Sequence, residues 1–252
     1  MSILPKRIIF SLNFLDGVLY RTRNFQPDYR YTHNLIDLWS IDEIIINDIT
    51  RNIEFSNPNK NKFLEVLNNL SKNSFVPFTV GGHITNLSNI ETLLKNGADK
   101  VVINSVTYKN KNFLKEAAAE FGSSCIVVSI DAKKNNKKSY DLYSRNGTKK
   151  ENINLIDHIK NVQDLGAGEI FLQSIDNDGT LEGFDLDLIN FTRKYVNLPF
   201  IVCSGAGSWK HFLEVFKIDE ISGAATNNIF HFTEKSINNF KNLLKKEKIK
   251  IR

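Results

Sequence analysis

Short apolar runs of strand length alternate along the chain with longer stretches whose apolar residues recur at helical spacing. The runs Arg7 to Asn13, Glu43 to Asp48, Phe75 to Val80, Lys100 to Asn104, Cys125 to Asp131, Glu169 to Ser174, Phe200 to Cys203 and Glu220 to Ala225 predict eight strands. Between them, Lys60 to Leu70, Leu87 to Lys95, Asn112 to Phe121, Ile153 to Leu165, Asp187 to Tyr195, Trp209 to Phe216 and Glu234 to Lys246 predict amphipathic helices. Strand and helix alternating from end to end point to an α/β fold, a closed parallel (β/α)8 TIM barrel more than an open doubly wound sheet. The length suits one domain, residues 1–252.

The second half resembles the first at an offset of roughly 120 residues, which implies two half-barrel repeats. Asp42-Glu43-Ile44-Ile45-Ile46 parallels Gly168-Glu169-Ile170-Phe171-Leu172, and Pro77-Phe78-Thr79-Val80-Gly81-Gly82 parallels Pro199-Phe200-Ile201-Val202-Cys203-Ser204-Gly205. Ile8 to Asn13 aligns with the run ending at Asp131, so that Asn13 matches Asp131. Two segments break the rhythm: Phe14 to Tyr31 reads as a long polar loop, and Lys133 to Gly147 as a charged loop with room for a small hairpin. Both follow strand ends and belong at the carboxyl-terminal face, where barrel active sites lie.

Candidate chemistry collects at those strand ends. Asp131 closes an apolar strand and is the first choice for an acid or base. Ser174-Ile175-Asp176-Asn177-Asp178-Gly179-Thr180 brings two further acids; Asp178 can share a pocket with Asp131, or one of the two can cap the next helix. Val80-Gly81-Gly82-His83 and Cys203-Ser204-Gly205-Ala206-Gly207-Ser208 are turns whose glycines let a backbone approach phosphate, or simply make βα turns. At the strand beginnings, Arg7, Glu43, Lys100 and Glu169 are placed to form a charged ring at the opposite face, as a gate or docking surface.

The formal charge is +5, with a Lys-rich end (Lys241, Lys245, Lys246, Lys248, Lys250, Arg252) that reads as the solvated end of a last helix. No basic and aromatic interleaving accompanies it, which argues against nucleic acid. Cys125 and Cys203 have no metal-ligand spacing and read as buried reduced thiols. No cleavable signal and no run of membrane-crossing length is evident, so a soluble cytoplasmic protein without metal or cofactor is expected.

Lys6-Arg7-Ile8-Ile9, Pro77 to Gly82, Gly97-Ala98-Asp99-Lys100-Val101, Val128 to Lys133, Gly166 to Ile170, Ser174 to Thr180 and Phe230-His231-Phe232 together resemble the cyclase subunit of imidazole glycerol phosphate synthase. The resemblance covers essentially the whole chain. It implies a barrel that receives ammonia from a glutaminase subunit docked at its amino-terminal face and uses it at the carboxyl-terminal face. It implies an ammonia-gating ring of Arg7, Glu43, Lys100 and Glu169, an interface position at Asp99, and a catalytic aspartate at Asp131. It also implies a substrate pocket that includes Gly82, His83, Asn104, Asp178, Gly179, Gly205, Ala206, Gly207 and Asn228.

The departures fall at one end. Asn13 stands where the family has its other catalytic aspartate, His83 replaces a glycine of the first phosphate turn, and Asn228 replaces a serine of the second. An amide cannot exchange protons as an aspartate does. The segment Arg30 to Glu43 is more similar to an offshoot of the family that, with a glutaminase and a separate amidotransferase, forms acetamidino groups on bacterial surface sugars. The expected function is therefore ammonia delivery to a phosphorylated or nucleotide-linked sugar precursor. The alternatives are a histidine-pathway cyclase and a non-catalytic activator of the glutaminase.

Overall fold

A computed structural model describes residues 5–31, 40–51, 55, 58–136, 139–228 and 234–252. The chain begins with β1 (Arg7–Leu15), β2 (Val18–Arg23), β3 (Gln26–Arg30), β4 (Glu43–Asp48) and α1 (Pro58–Lys72). β5 (Phe78–Gly81), α2 (Leu87–Lys95), β6 (Lys100–Ile103), the short α3 (Ser105–Lys109) and α4 (Lys111–Phe121) follow. Next come β7 (Ile126–Lys134), β8 (Tyr140–Ser144), β9 (Lys149–Glu151), α5 (Leu155–Asp164), β10 (Glu169–Ser174) and α6 (Leu186–Thr192). The chain ends with β11 (Phe200–Cys203), α7 (Trp209–Phe216), β12 (Ile221–Thr226) and α8 (Glu234–Lys246).

The eight expected strands are β1, β4, β5, β6, β7, β10, β11 and β12. They pair in parallel in that order, and β12 pairs with β1 to close the barrel. Closure removes the sheet edges and fixes which side chains face inward. Ile8, Phe10, Leu12 and Phe14 pack in the large core shared with the helices, whereas Ile9, Ile45, Val102, Val127, Phe171, Ile201, Cys203 and Ala225 form a separate apolar cluster inside the barrel.

Strand alternation turns this into layers. β1, β4, β6 and β10 each have a charged residue at the entry (Arg7, Glu43, Lys100, Glu169), an apolar residue two positions on, and a polar residue two beyond that (Ser11, Asn47, Gln173 and, just past the end of β6, Asn104). On these four strands the layering puts polar chemistry at both ends of the barrel, with an apolar layer between.

The two irregular segments are more ordered than expected. β1 runs two residues past Asn13, turns at Asp16-Gly17 with φ of +51° and +77°, and pairs back as β2, which then pairs with β3. Positive φ at both central residues is the two-residue hairpin turn that Asp-Gly favours. Likewise β7 extends to Lys134 and pairs with β8, which pairs with β9. The tips of these arms meet, because a Cβ built on Gly147 would lie 3.2 Å from the Phe25 ring.

The basic tail also departs from a solvated helix end. Lys241 Nζ bonds Asp42 Oδ1 at 2.5 Å, and the backbone of Lys6 bonds Lys250 and Arg252. Both cysteines are free, but Cys125 is only partly buried. Phe230-His231-Phe232 and positions 32–39 of the Arg30 to Glu43 segment lie outside the described residues. Among the described residues no helix is long and apolar enough to cross a membrane.

Candidate active site

Asp131 ends the barrel portion of β7 and is 5% exposed. Its Oδ1 accepts hydrogen bonds from Ser129 Oγ at 2.8 Å and Gln173 Nε2 at 3.1 Å, and its Oδ2 accepts one from Asn104 Nδ2 at 2.8 Å. Burial disfavours the charged form by more than the bonds from Ser129 and Gln173 favour it. Asp178 adds to the effect of burial, and the carboxyl is pushed up to about 6. A carboxyl so placed exchanges its proton near neutral pH, as an acid–base group must.

Asn13 lies four strands from Asp131 in either direction around the barrel. Its Oδ1 accepts from Asn47 Nδ2 at 3.2 Å, and its Nδ2 donates to Thr22 Oγ1 at 3.3 Å. Thr22 arrives on β2, so the first hairpin supplies part of the site. Asn227 Nδ2 donates to both Thr22 Oγ1 and Asp178 Oδ1 at 3.3 Å, which links Asn13 to Asp178 through two side chains. Burial raises the Asp178 carboxyl, and its bonds from Phe25 and Thr22 only partly offset that. Neither Asp176 nor Asp178 caps α6; Asp185 does, while Asp176 accepts the Lys134 N–H.

The two glycine turns follow β5 and β11. At Gly82, φ is +112° and a Cβ would come within 2.5 Å of the Asp48 carbonyl, so the strand end of β4 requires glycine there. His83 next to it also has positive φ, +60°, and its Nε2 is 3.9 Å from Asp48 Oδ2. Around the second turn a cleft of about 10 Å³ is lined by Arg21, Asp178, Gly179, Gly205, Ala206 and Asn228. Arg21 Nε, Ser204 Oγ and Asn228 Nδ2 are buried donors with no partner among the described residues. Converging donors of this kind suit an anionic oxygen. The Gly207 N–H is already given to His211 Nδ1 at 3.1 Å.

At the opposite face the four charged residues form one connected ring. Arg7 Nη1 meets Glu43 Oε2 and Arg7 Nη2 meets Glu169 Oε2, both at 2.7 Å. Lys100 Nζ meets Glu43 Oε1 at 2.7 Å and Glu169 Oε1 at 2.8 Å. Asp99 is exposed beside the ring, and its Oδ2 accepts the Phe78 N–H at 2.7 Å. A wider depression of about 530 Å³ between α1 and α2, lined by Asn61, Glu65, Asn68 and Asn96, lies outside the barrel and away from both sets of residues.

The structure therefore brings Asp131 together with Asn104, and Asp178 together with Gly179, the second turn and Asn228. Asn13 joins that group through Thr22. Gln173, Thr22, Asn47 and Asn227 belong to the same surroundings without having been singled out from the sequence, while Arg21 comes from the segment read there as a long polar loop. Only strand parity could have marked Gln173 and Asn47, since each sits at an inward position of its strand.

The family model described as histidine biosynthesis protein matches residues 15–236. Relatives named imidazole glycerol phosphate synthase subunit HisF include one from Hydrogenobaculum sp. (strain Y04AAS1), 40% identical over 99% of each chain. Another, from Natranaerobius thermophilus, is 39% identical over 99% of each chain. A third, from Streptococcus mutans serotype c, is 36% identical over 99% of this chain and all of the relative. With its closed barrel and matches of that length, the chain belongs to the histidine biosynthesis protein family, as a relative of the HisF subunits.

Proposed function

We propose that the chain is the cytoplasmic ammonia-using subunit of a glutaminase-linked synthase, acting on a phosphorylated or nucleotide-linked sugar precursor of the bacterial surface. Ammonia released by a partner docked at the amino-terminal face, near Asp99, enters through the ring of Arg7, Glu43, Lys100 and Glu169. It then passes the apolar waist and meets its acceptor at the carboxyl-terminal rim. The buried donors Arg21, Ser204 and Asn228 suit a phosphate of that acceptor. Asp131 gives or takes the proton that the attack of ammonia requires. A separate sugar amidotransferase completes the pathway.

The observation that carries this reading is Asn13, an amide held by Asn47 and Thr22 across the barrel from the Asp131 carboxyl. A ring closure that needs two proton-exchanging carboxylates on opposite sides of the ligand is poorly served by that pair. The second reading, a histidine-pathway cyclase, is favoured by the names and full-length match of the relatives. An activator of the glutaminase without chemistry of its own is the third.

The test mixes the protein with its glutaminase partner, glutamine and the phosphoribosyl substrate of the histidine pathway, and follows glutamate and imidazole product separately. The proposal expects glutamate release without imidazole. Rapid imidazole formation would replace it by the second reading.

A further inference from the structure

We infer that Gln173 is a positioning residue for Asp131: together with Ser129 it saturates Oδ1, so that the carboxyl takes up and releases its proton at Oδ2. This rests on the reading of Asp131 as the proton-exchanging group. A carboxylate oxygen has two lone-pair sites. Those of Oδ1 are filled, by Ser129 Oγ at 2.8 Å and Gln173 Nε2 at 3.1 Å. Among the described residues Oδ2 accepts only Asn104 Nδ2, at 2.8 Å, which leaves one of its sites open to a ligand.

The arrangement also fixes the roles of the donors. Gln173 Nε2 lies 3.1 Å from Ser129 Oγ as well as from Asp131 Oδ1, and its two hydrogens serve the two acceptors. Ser129, receiving one of them, has its own hydrogen free to give to Asp131. A Ser129 hydroxyl turned toward Gln173 would meet an amide N–H and not an acceptor. Gln173 thus sets the direction of the serine hydroxyl and contributes one bond itself, so its removal weakens two of the three donors to the carboxylate.

Other groups with charge or a titratable proton bear on Asp131 from elsewhere. Asp178 from the loop after β10, the Tyr108 hydroxyl of α3 and the Cys203 thiol of β11 are all within electrostatic reach of it. The two thiol and phenol groups are held in their neutral forms by burial, and Asp178 acts against ionisation of Asp131. None of the three donates a hydrogen bond to the carboxyl, so the donors that favour its anion are Ser129, Gln173 and Asn104.

The proton inventory is simple. Attack of ammonia on a carbon that bears a leaving oxygen forms a C–N bond as the C–O bond breaks, its electron pair going to that oxygen; the ammonium nitrogen loses a proton to Asp131 Oδ2, and the neutral carboxylic acid returns it to the departing oxygen. Asn13 opposite takes no part in the transfer.

The experiment titrates the Asp131 carboxyl directly, by carbon NMR of the full-length protein labelled at aspartate, with Asp131→Asn used to assign the signal. Gln173→Leu should move its midpoint upward by about one pH unit, the size expected when hydrogen bonds to the charged form are lost. Gln173→Met, of similar length and equally without a donor, should do the same and guards against misfolding of a single variant. An Asp131 midpoint unchanged in both variants, while Ser129→Ala shifts it, overturns the positioning role. Amidation unaffected by Asp131→Asn would instead remove the reading on which the role rests, and the titration would still stand.

Discussion

The backbone N–H of Phe25 lies 2.9 Å from Asp178 Oδ2, which ties the tip of the β2–β3 hairpin to the loop after β10. Asn24 strengthens the tie, donating from its backbone to the Asp178 carbonyl at 3.0 Å and from its side chain to the Ile175 carbonyl at 3.0 Å. The hairpin therefore roofs the second glycine turn, and the cleft beneath it has room for about one water.

Asp178→Ala should loosen that roof. Loss of a bond to a charged group is worth about 1.5–3 kcal/mol, or roughly tenfold to a hundredfold in local opening. Hydrogen exchange at Phe25 should speed by that factor, with exchange in the barrel strands unchanged. Equal exchange in variant and parent would mean that the backbone and side-chain bonds of Asn24 hold the hairpin alone.

Gly179→Ala should act on the same contact by sterics. A Cβ there would lie 2.3 Å from the Thr22 carbonyl oxygen, at a φ of +74° that side chains rarely adopt. The expected cost is about 1–3 kcal/mol in chemical denaturation, through strain at a position that needs glycine. A variant as stable as the parent would show that the hairpin shifts aside at no cost.

Asp131→Asn is expected to lower amidation by about a hundredfold to ten-thousandfold, the range for a lost acid–base group. It should also change the pH dependence of stability. The native carboxyl is held near 6, above the usual carboxylate value, so the folded protein binds this proton more tightly than the unfolded chain does. Its contribution is full below the ordinary carboxylate value and is lost as the pH rises through 6. Relative to the parent, Asp131→Asn should gain stability between pH 4 and pH 8, by up to about 3 kcal/mol. A stability difference flat across that range would refute the raised value.

Arg7→Met leaves Glu43, which is wholly buried, and Glu169 with only Lys100 between them. Removing one partner of a buried ion network costs about 3–5 kcal/mol, readable by urea unfolding. Burial alone would raise the Glu169 carboxyl, but Arg7 and Lys100 outweigh it and hold it below the usual range. The stability it contributes is present above the ordinary carboxylate value and is lost as the pH falls through the lowered one. In Glu169→Gln the acid limb should be correspondingly shallower, and an unchanged limb would locate acid sensitivity elsewhere.

The barrel was legible because its strands announce themselves by composition and its inward positions by parity. From Glu43, Ile45 and Asn47, or Glu169, Phe171 and Gln173, the charged, apolar and polar layers follow once the strand starts are known. The hairpins were harder. Asp16-Gly17 carried the turn signal, but the polar residues after it, Arg21, Arg23 and Asn24, made the segment read as a long loop over the carboxyl-terminal face. Thr22 and Asn227 could not be found in the sequence at all, since their roles depend on a hairpin register and on the ends of distant strands. Gln173 has no motif; its meaning comes from Ser129 and Asp131 on the neighbouring strand.

The charged ring divides unevenly between the two halves of the barrel. Arg7, Glu43 and Lys100 come from the strands before β7, and Glu169 alone from those after. Cut between β6 and β7, one half would carry a surplus positive charge at its mouth and the other a surplus negative one. Each piece would repel a copy of itself there and attract its complement. The ring thus acts as a lock and key between the halves, and co-expressed fragments should be recovered as the mixed pair, with recovery of like pairs counting against it.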